Sequence, residues 1–485
     1  MTLSTPPRRR SRLSSGSALG LGLVLPLAIL AGCSTDDSAA GATTGSATTE
    51  AAEESAASEA ATVTPRLALT YDGGIQVLDA TTLEQVADIE LDGFNRLNGA
   101  GDGHHVFVST TGGFQLLDAG TWAEPHGDHA HYYTSEPRLT DVTFAADKPG
   151  HVVVHDGRTV LFDDGTGDIT VLDSDEVAEP EPELREYTTP SAHHGVAVEL
   201  EDGTLVVSQG TEDERTGIRV LDASGTEIAA SDACPGVHGE AVAADDAVVI
   251  GCEDGAVVYS GGAITKVQSP DAYGRIGNQS GTEASPIILG DYKSDPDAEL
   301  ERPTRVSLID TRTSTVRLVD LPSSYTFRSL GRGDAGEALV LGTDGQLHVI
   351  DPESGTLVRS VPVIAAWEEP EEWQSPRPTL TVLDGSAYIT DPSTNTIHAV
   401  DILTGDVWNT AELTVTPNEL TGVSGDIETG AHEHADDEHS DEEHADEEHA
   451  DEEHADEEHA DEEHADDHSD EDHADDDHAD EPATS

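Results

Sequence analysis

What this 485-residue chain has least of is positive charge: 23 Lys plus Arg stand against 99 Asp plus Glu, for a formal charge of −76. That deficit excludes nucleic acid as a partner, because phosphate recognition requires a basic surface. It also argues against an anionic membrane surface. Aromatic residues are only 4% of the chain and cysteines number three, and almost nothing reads as a long helix. There is no GxSxG, no HExxH and no paired-carboxylate motif, an absence that weighs little because propeller enzymes often lack local motifs. The histidine groups described below are what point to metal handling and not to an enzyme. Carboxylates and imidazoles at this density instead invite a divalent metal ion.

The N-terminal residues read as an address. Arg8, Arg9, Arg10 and Arg12 precede an apolar run from Leu19 to Leu30 that is too short for a comfortable transmembrane helix. The run ends in Leu30-Ala31-Gly32-Cys33, which resembles a bacterial lipobox, where the cysteine is acylated and becomes the first mature residue. Residues 1–32 are therefore read as a lipoprotein signal peptide and Cys33 as the lipidation site. That places the protein outside the cytoplasm, on the cell membrane through its lipid alone. The two remaining cysteines, Cys234 and Cys252, suggest one disulfide in an oxidising compartment. Residues 33–64 are Ser, Thr, Ala, Glu and Gly with few large apolar side chains, which cannot bury enough surface to offset ordering entropy. They read as a tether.

Between residues 65 and 425 the pattern is all-β. Short alternating apolar runs are broken by Asp-Gly, Gly-Gly and Ser-Gly turns. A unit recurs in VLDATTLEQVADI (77–89), VLDASGTEIAA (220–230), LIDTRTSTVRLV (308–319), VIDPESGTLVRSV (349–361) and AVDILTGDVWNT (399–410): a strand ending in Asp, a small turn and a second strand. Its period is that of propeller blades. Arg96, Arg138, His194, His238, Arg275, Arg328 and Arg377 phase seven inner strands. NELTGVSG (418–425) supplies an eighth that completes the blade begun at Pro65 and closes the ring. The expectation is a β-propeller of eight blades, with seven as the fallback.

Histidine marks the chemistry. His126, His129 and His131 lie within six residues in EPHGDHAHYY (124–133), and His129 and His131 would share one side of a strand. Imidazole suits Zn²⁺, which takes three or four such donors. The loop is expected on the same face as His194, in AHHGVAV, and His238, in CPGVHGEAV, which could complete a site that it begins. Asp128 and Glu240 are possible oxygen ligands or partners that orient an imidazole. His104, His105, His151, His155, His348 and His398 are read as ordinary hydrogen-bonding residues, and His193 as facing away from His194.

From Asp426 to the end the chain is mainly His, Asp, Glu and Ala, with no Lys or Arg. His432, His434, His439, His444, His449, His454, His459, His464, His468, His473 and His478 recur, for the most part every five residues. That spacing matches neither a helical stripe nor a strand face. Residues 426–485 read as a disordered tail that binds metal weakly at many exchangeable sites.

Together the lipobox, the repeat, HGDHAHYY, HHGVAV, CPGVHGEA and LGTDGQLHVIDP resemble the AztD-type periplasmic zinc metallochaperone family across residues 66–424. The resemblance implies a β-propeller that binds Zn²⁺ and hands it to the zinc-specific solute-binding protein of an ABC importer. It carries metal binding to His126, His129 and His131, and to His194 and His238. The chain is accordingly expected to be a monomeric, lipid-anchored zinc chaperone. The alternatives are a lactonase-like, metal-dependent propeller hydrolase, or a protein-binding platform with a zinc-buffering tail.

Overall fold

Strands of the repeat end in aspartate because the following turn needs an acceptor. Asp79 Oδ1 takes the amide protons of Thr81 and Thr82 at 3.0 and 2.8 Å, and Asp222 Oδ1 takes those of Ser224 and Thr226 at 2.9 Å. Asp401 Oδ1 takes that of Thr404 at 2.7 Å. Such bonds stand in for a backbone turn. The Thr404 amide and hydroxyl hold the Asp401 carboxyl below its ordinary range.

The computed structural model describes residues 57–127 and 129–427. The signal segment, Cys33, the tether through residue 56, Asp128 and the eleven tail histidines from His432 to His478 lie outside the described residues. Among the described residues, those from Glu59 onward form one compact unit. No helix among the described residues is long and apolar enough to cross a membrane.

The described residues form eight four-stranded sheets and one three-stranded sheet. Taken in chain order, sheet 1 begins with Arg66–Tyr71 and sheet 2 with Arg96–Gly99. Sheets 3 to 8 begin with Pro149–His155, Ala197–Glu199, His238–Ala243, Gln279–Ser280, Leu330–Arg332 and Leu380–Leu383. In sheets 2 to 8 this first strand is the inner one. In sheet 1 the inner strand is Leu420–Val423, from the other end of the chain, with Val423 opposite Arg66 and Leu420 opposite Leu69. Most inner strands contact those of their neighbours, and Leu420–Val423 meets both Leu380–Leu383 and Arg96–Gly99. Apolar clusters fill the wedges between sheets, as where Leu67, Leu69 and Leu78 of sheet 1 pack with Tyr388, Ile397 and Ala399 of sheet 8. This is an all-β, propeller-like architecture.

One phasing position is corrected. Arg138 does not open an inner strand: Arg138–Ala145 is the outermost strand of sheet 2, paired to Gly113–Asp118. The hairpin Thr121–His126/His129–Thr134 is inserted between those two strands and shifts the apparent period. The inner strand of sheet 3 is Pro149–His155, so the ring position assigned to Arg138 belongs to the start of that strand. Cys234 and Cys252 form a disulfide with Cα atoms 5.0 Å apart. It ties the approach to His238–Ala243 onto the end of the adjacent strand Ala247–Cys252.

Candidate metal centre

Inner strands of this ring start at one mouth of the central channel. A cavity of about 940 Å³ opens there, and His151, His194 and His238 line it from sheets 3, 4 and 5. One ring nitrogen from each lies within 4.8 Å of the others. Ring centroids are 5.2 Å apart for His151 and His194, 5.7 Å for His151 and His238, and 5.0 Å for His194 and His238.

The partners of these rings decide what they can do. His194 Nδ1 lies 2.5 Å from Asp164 Oδ2, His238 Nδ1 donates to the Gly277 carbonyl at 2.5 Å, and His151 Nδ1 hydrogen-bonds Glu240 Oε1 at 3.3 Å. An oxygen on each Nδ1 leaves Nε2 for the cavity, and Nε2 of His194 and His238 approach to 3.1 Å. Burial, and then the nearby His151 and His194, push the His238 ring well below the ordinary imidazole range, so at neutral pH it offers a lone pair. Burial opposes charge on His151 as well, but the Glu240 carboxylate outweighs it and raises that ring. Imidazoles whose far nitrogen is held by a carboxylate or carbonyl are oriented as metal ligands. Three imidazole nitrogen donors suit Zn²⁺, and a tetrahedral site built on them would leave a fourth position for another ligand.

Local sequence builds this geometry. Gly239, at φ +72°, lies at a register irregularity between His238 and Glu240. A Cβ there would stand 2.8 Å from the Gly277 oxygen, the acceptor of His238. Only glycine lets the two backbones approach so closely. Asp164→Asn should keep the fold and weaken zinc binding roughly 10–100-fold, the usual cost of losing a partner that orients a ligand. Competition against a chromophoric chelator measures it.

The hairpin histidines form a second, separate group. His126 and His129 are opposed across a two-residue turn in which Gly127 takes the left-handed φ of +65° that such turns require. One nitrogen from each of His126, His129 and His131 also lies within 4.8 Å of the others. His131 Nε2 is 3.4 Å from His126 Nδ1, and His131 Nδ1 is 3.3 Å from Glu59 Oε1. Glu59, assigned by composition to the tether, thus belongs to this site. At the base, Trp122 stacks on Tyr133 and on His104 with centroids 5.5 and 5.2 Å apart. His104 and His105 are held by Asp118 at 2.9 Å and Asp102 at 2.5 Å, a hydrogen-bonded brace.

The hairpin does not join His194 and His238 in one site. It follows Gly113–Asp118, the third strand of sheet 2, which runs in the inner strand's direction and ends at the opposite mouth. His151 takes the place expected for the hairpin. Sequence spacing gives it only a hydrogen-bonding role, because the inserted hairpin misplaces the inner strand of sheet 3. A phase that skipped the insertion would have put His151 beside His194 and His238. His193 is buried between Ser191 O and Ser208 Oγ, each at 2.9 Å, and takes no part. Glu240 serves as a partner of His151.

The chain matches no protein-family model. It is similar to the zinc chaperone AztD of Citrobacter koseri, with 27% identity over 377 residues that cover 74% of this chain and 86% of that protein. The crystal structure of Citrobacter koseri AztD superposes with a TM-score of 0.64 at 25% identity, covering 75% of this chain and 98% of that one. The apo form of AztD gives a TM-score of 0.64 at 24% identity, covering 74% and 98%. The resemblance expected from the motifs is borne out.

Proposed function

We propose that this protein is a zinc chaperone that carries the ion on His151, His194 and His238 and passes it to an acceptor protein at the channel mouth. The observation that carries the reading is the three imidazoles with each Nδ1 held by Asp164, Gly277 O or Glu240. The similarity to a zinc chaperone supplies the kind of function. Zinc is here cargo, and the chain a carrier, not an enzyme: a lactonase-like site would hold a hard cation with oxygen ligands, whereas this set offers nitrogen.

Release proceeds by ligand exchange. The His194 side chain, 43% exposed, is the ring an incoming acceptor group reaches first, while Glu240 and Gly277 O keep the other two aimed at the ion. The acceptor is the zinc-specific solute-binding protein of an ABC importer. The protein works as a monomer outside the cytoplasm, held at the cell membrane through Cys33. Its eight four-stranded sheets are eight blades of one propeller, and residues 426–485 capture zinc.

The test mixes zinc-loaded protein with apo acceptor in excess chelator. Transfer faster than zinc loss to chelator alone is expected; equal rates would overturn direct handover.

A further inference from the structure

The cavity that holds His151, His194 and His238 also gathers positive charge, in a chain whose formal charge is −76. Arg96, Arg275 and Lys293 line it. Arg96 opens the inner strand of sheet 2. Arg275 and Lys293 pair through their backbones, amide to carbonyl in both directions at 2.9 Å. The Arg275 guanidinium lies along Gly277, where a Cβ would stand 3.0 Å from Nε and 3.2 Å from Nη2. The carbonyl of that same Gly277 is the acceptor that holds His238. Both arginines are near enough for their charge to act on a ring, Arg96 on His151 and Arg275 on His238.

The carboxylates of this cavity do not neutralise those cations. Asp164 and Glu240 are held on His194 and His151. The buried Asp291 takes the amide protons of Gly277 and Asn278 at 2.6 and 3.1 Å, and Asp147 is exposed. Arg96 reaches Glu419 only at 3.6 Å, on the oxygen that Arg328 already holds. Arg275 donates to the Gly236 carbonyl at 3.3 Å and reaches Glu253 only at 4.0 Å. Lys293 closes no ion pair among the described residues.

Cations beside a cation site are in conflict with it. Like unit charges 4 Å apart cost about 1 kcal/mol even in bulk water and several times that near a protein surface. Three cations would therefore oppose the Zn²⁺ that the imidazoles attract, and an anion bound between them removes the opposition. A carboxylate fits both sides: its oxygen ligates zinc alongside imidazole, and a guanidinium grips it through two parallel hydrogen bonds. We propose that Arg96, Arg275 and Lys293 form a carboxylate site at the fourth position of the histidine centre, so that zinc and a carboxylate bind together. The inference rests on the zinc centre proposed above. It gives handover a first step, in which a carboxylate joins the ion before any imidazole leaves. That carboxylate arrives on an acidic side chain of the acceptor or as a small free acid.

Malonate is the probe, added to the full chain at fixed ionic strength so that screening stays constant. Zinc affinity, read by chelator competition, should rise about tenfold, within the usual range of coupling between two ligands, and zinc should tighten malonate by the same factor. Arg96→Gln with Arg275→Gln and Lys293→Gln should abolish the rise. Without malonate that triple variant should bind zinc as tightly or more tightly, because the repulsion is gone; weaker zinc binding in both conditions would mean a structural role and overturn the proposal. Lys293→Gln alone breaks no ion pair and should reduce the rise about threefold, the worth of one partly exposed charge pair, which keeps the test open if the triple variant is unstable. No rise in the unsubstituted chain, or a rise that the triple variant keeps, also overturns it. Failure of the zinc centre itself reads differently, as tight zinc binding that survives His194→Ala with His238→Ala. Malonate should slow handover where the acceptor supplies the carboxylate and leave its rate unchanged where a small acid does; either result supports the site and identifies the source.

Discussion

His194→Ala combined with His238→Ala should weaken tight zinc binding at the channel centre by at least about a thousandfold. Full zinc sites in small proteins are worth roughly 10–16 kcal/mol for four ligands, so two ligands carry several kcal/mol, and each 1.4 kcal/mol is about tenfold. The fold should survive. Both rings face the cavity rather than the apolar wedges between sheets, and the lost bond from His238 to Gly277 costs only about 1 kcal/mol. Calorimetric titration of zinc alongside a far-ultraviolet spectrum separates loss of the site from loss of structure. If tight binding persisted in a folded double variant, the centre would be misassigned and the hairpin would be the principal holder.

The largest effect on stability is expected at the seam. A chain ending at Pro417 loses Leu420–Val423, while one ending at Ile427 keeps every contact described for it. Leu420 and Val423 are 8% and 4% exposed, and burying such side chains contributes roughly 1.5–3 kcal/mol each. Arg328 would also lose Glu419 and both bonds to Asn418. Burial already draws its guanidinium down to about 10, and an uncompensated buried charge costs roughly 3–5 kcal/mol. The strand Arg66–Tyr71 would become an open edge, a template for aggregation. Together these losses rival the whole stability of a typical domain, about 5–15 kcal/mol. The chain ending at Pro417 should be insoluble or unfolded, and the one ending at Ile427 should melt within about 2 °C of the full chain, since a loss under 0.5 kcal/mol shifts a melting temperature no further. Thermal melts of both decide it.

Much of this was legible because it is periodic or local. The all-β pattern followed from alternation, and the repeat from strands that close with a turn-capping aspartate. NELTGVSG was readable as a missing inner strand from its likeness to the start at Arg96. His194 and His238 stood out because each opens an inner strand in a distinctive segment, and His126, His129 and His131 because six residues contain all three. Glu240 was named as a partner for an imidazole, and it is one, though for His151.

His151 and the split between the two histidine groups were not legible, for a single physical reason. A hairpin inserted before the outermost strand of sheet 2 has the same local pattern as the hairpins that build the sheets, so spacing alone cannot tell an insertion from the next repeat. Pairing across strands settles it: Arg138 hydrogen-bonds outward onto Gly113–Asp118, and the ring position passes to Pro149–His155. Local sequence thus determined strand, turn and the kinds of ligand, since these depend on neighbours in the chain. Which imidazoles share an ion, and which mouth of the channel they face, depends on strand order and direction within sheets, and only the tertiary structure decided that.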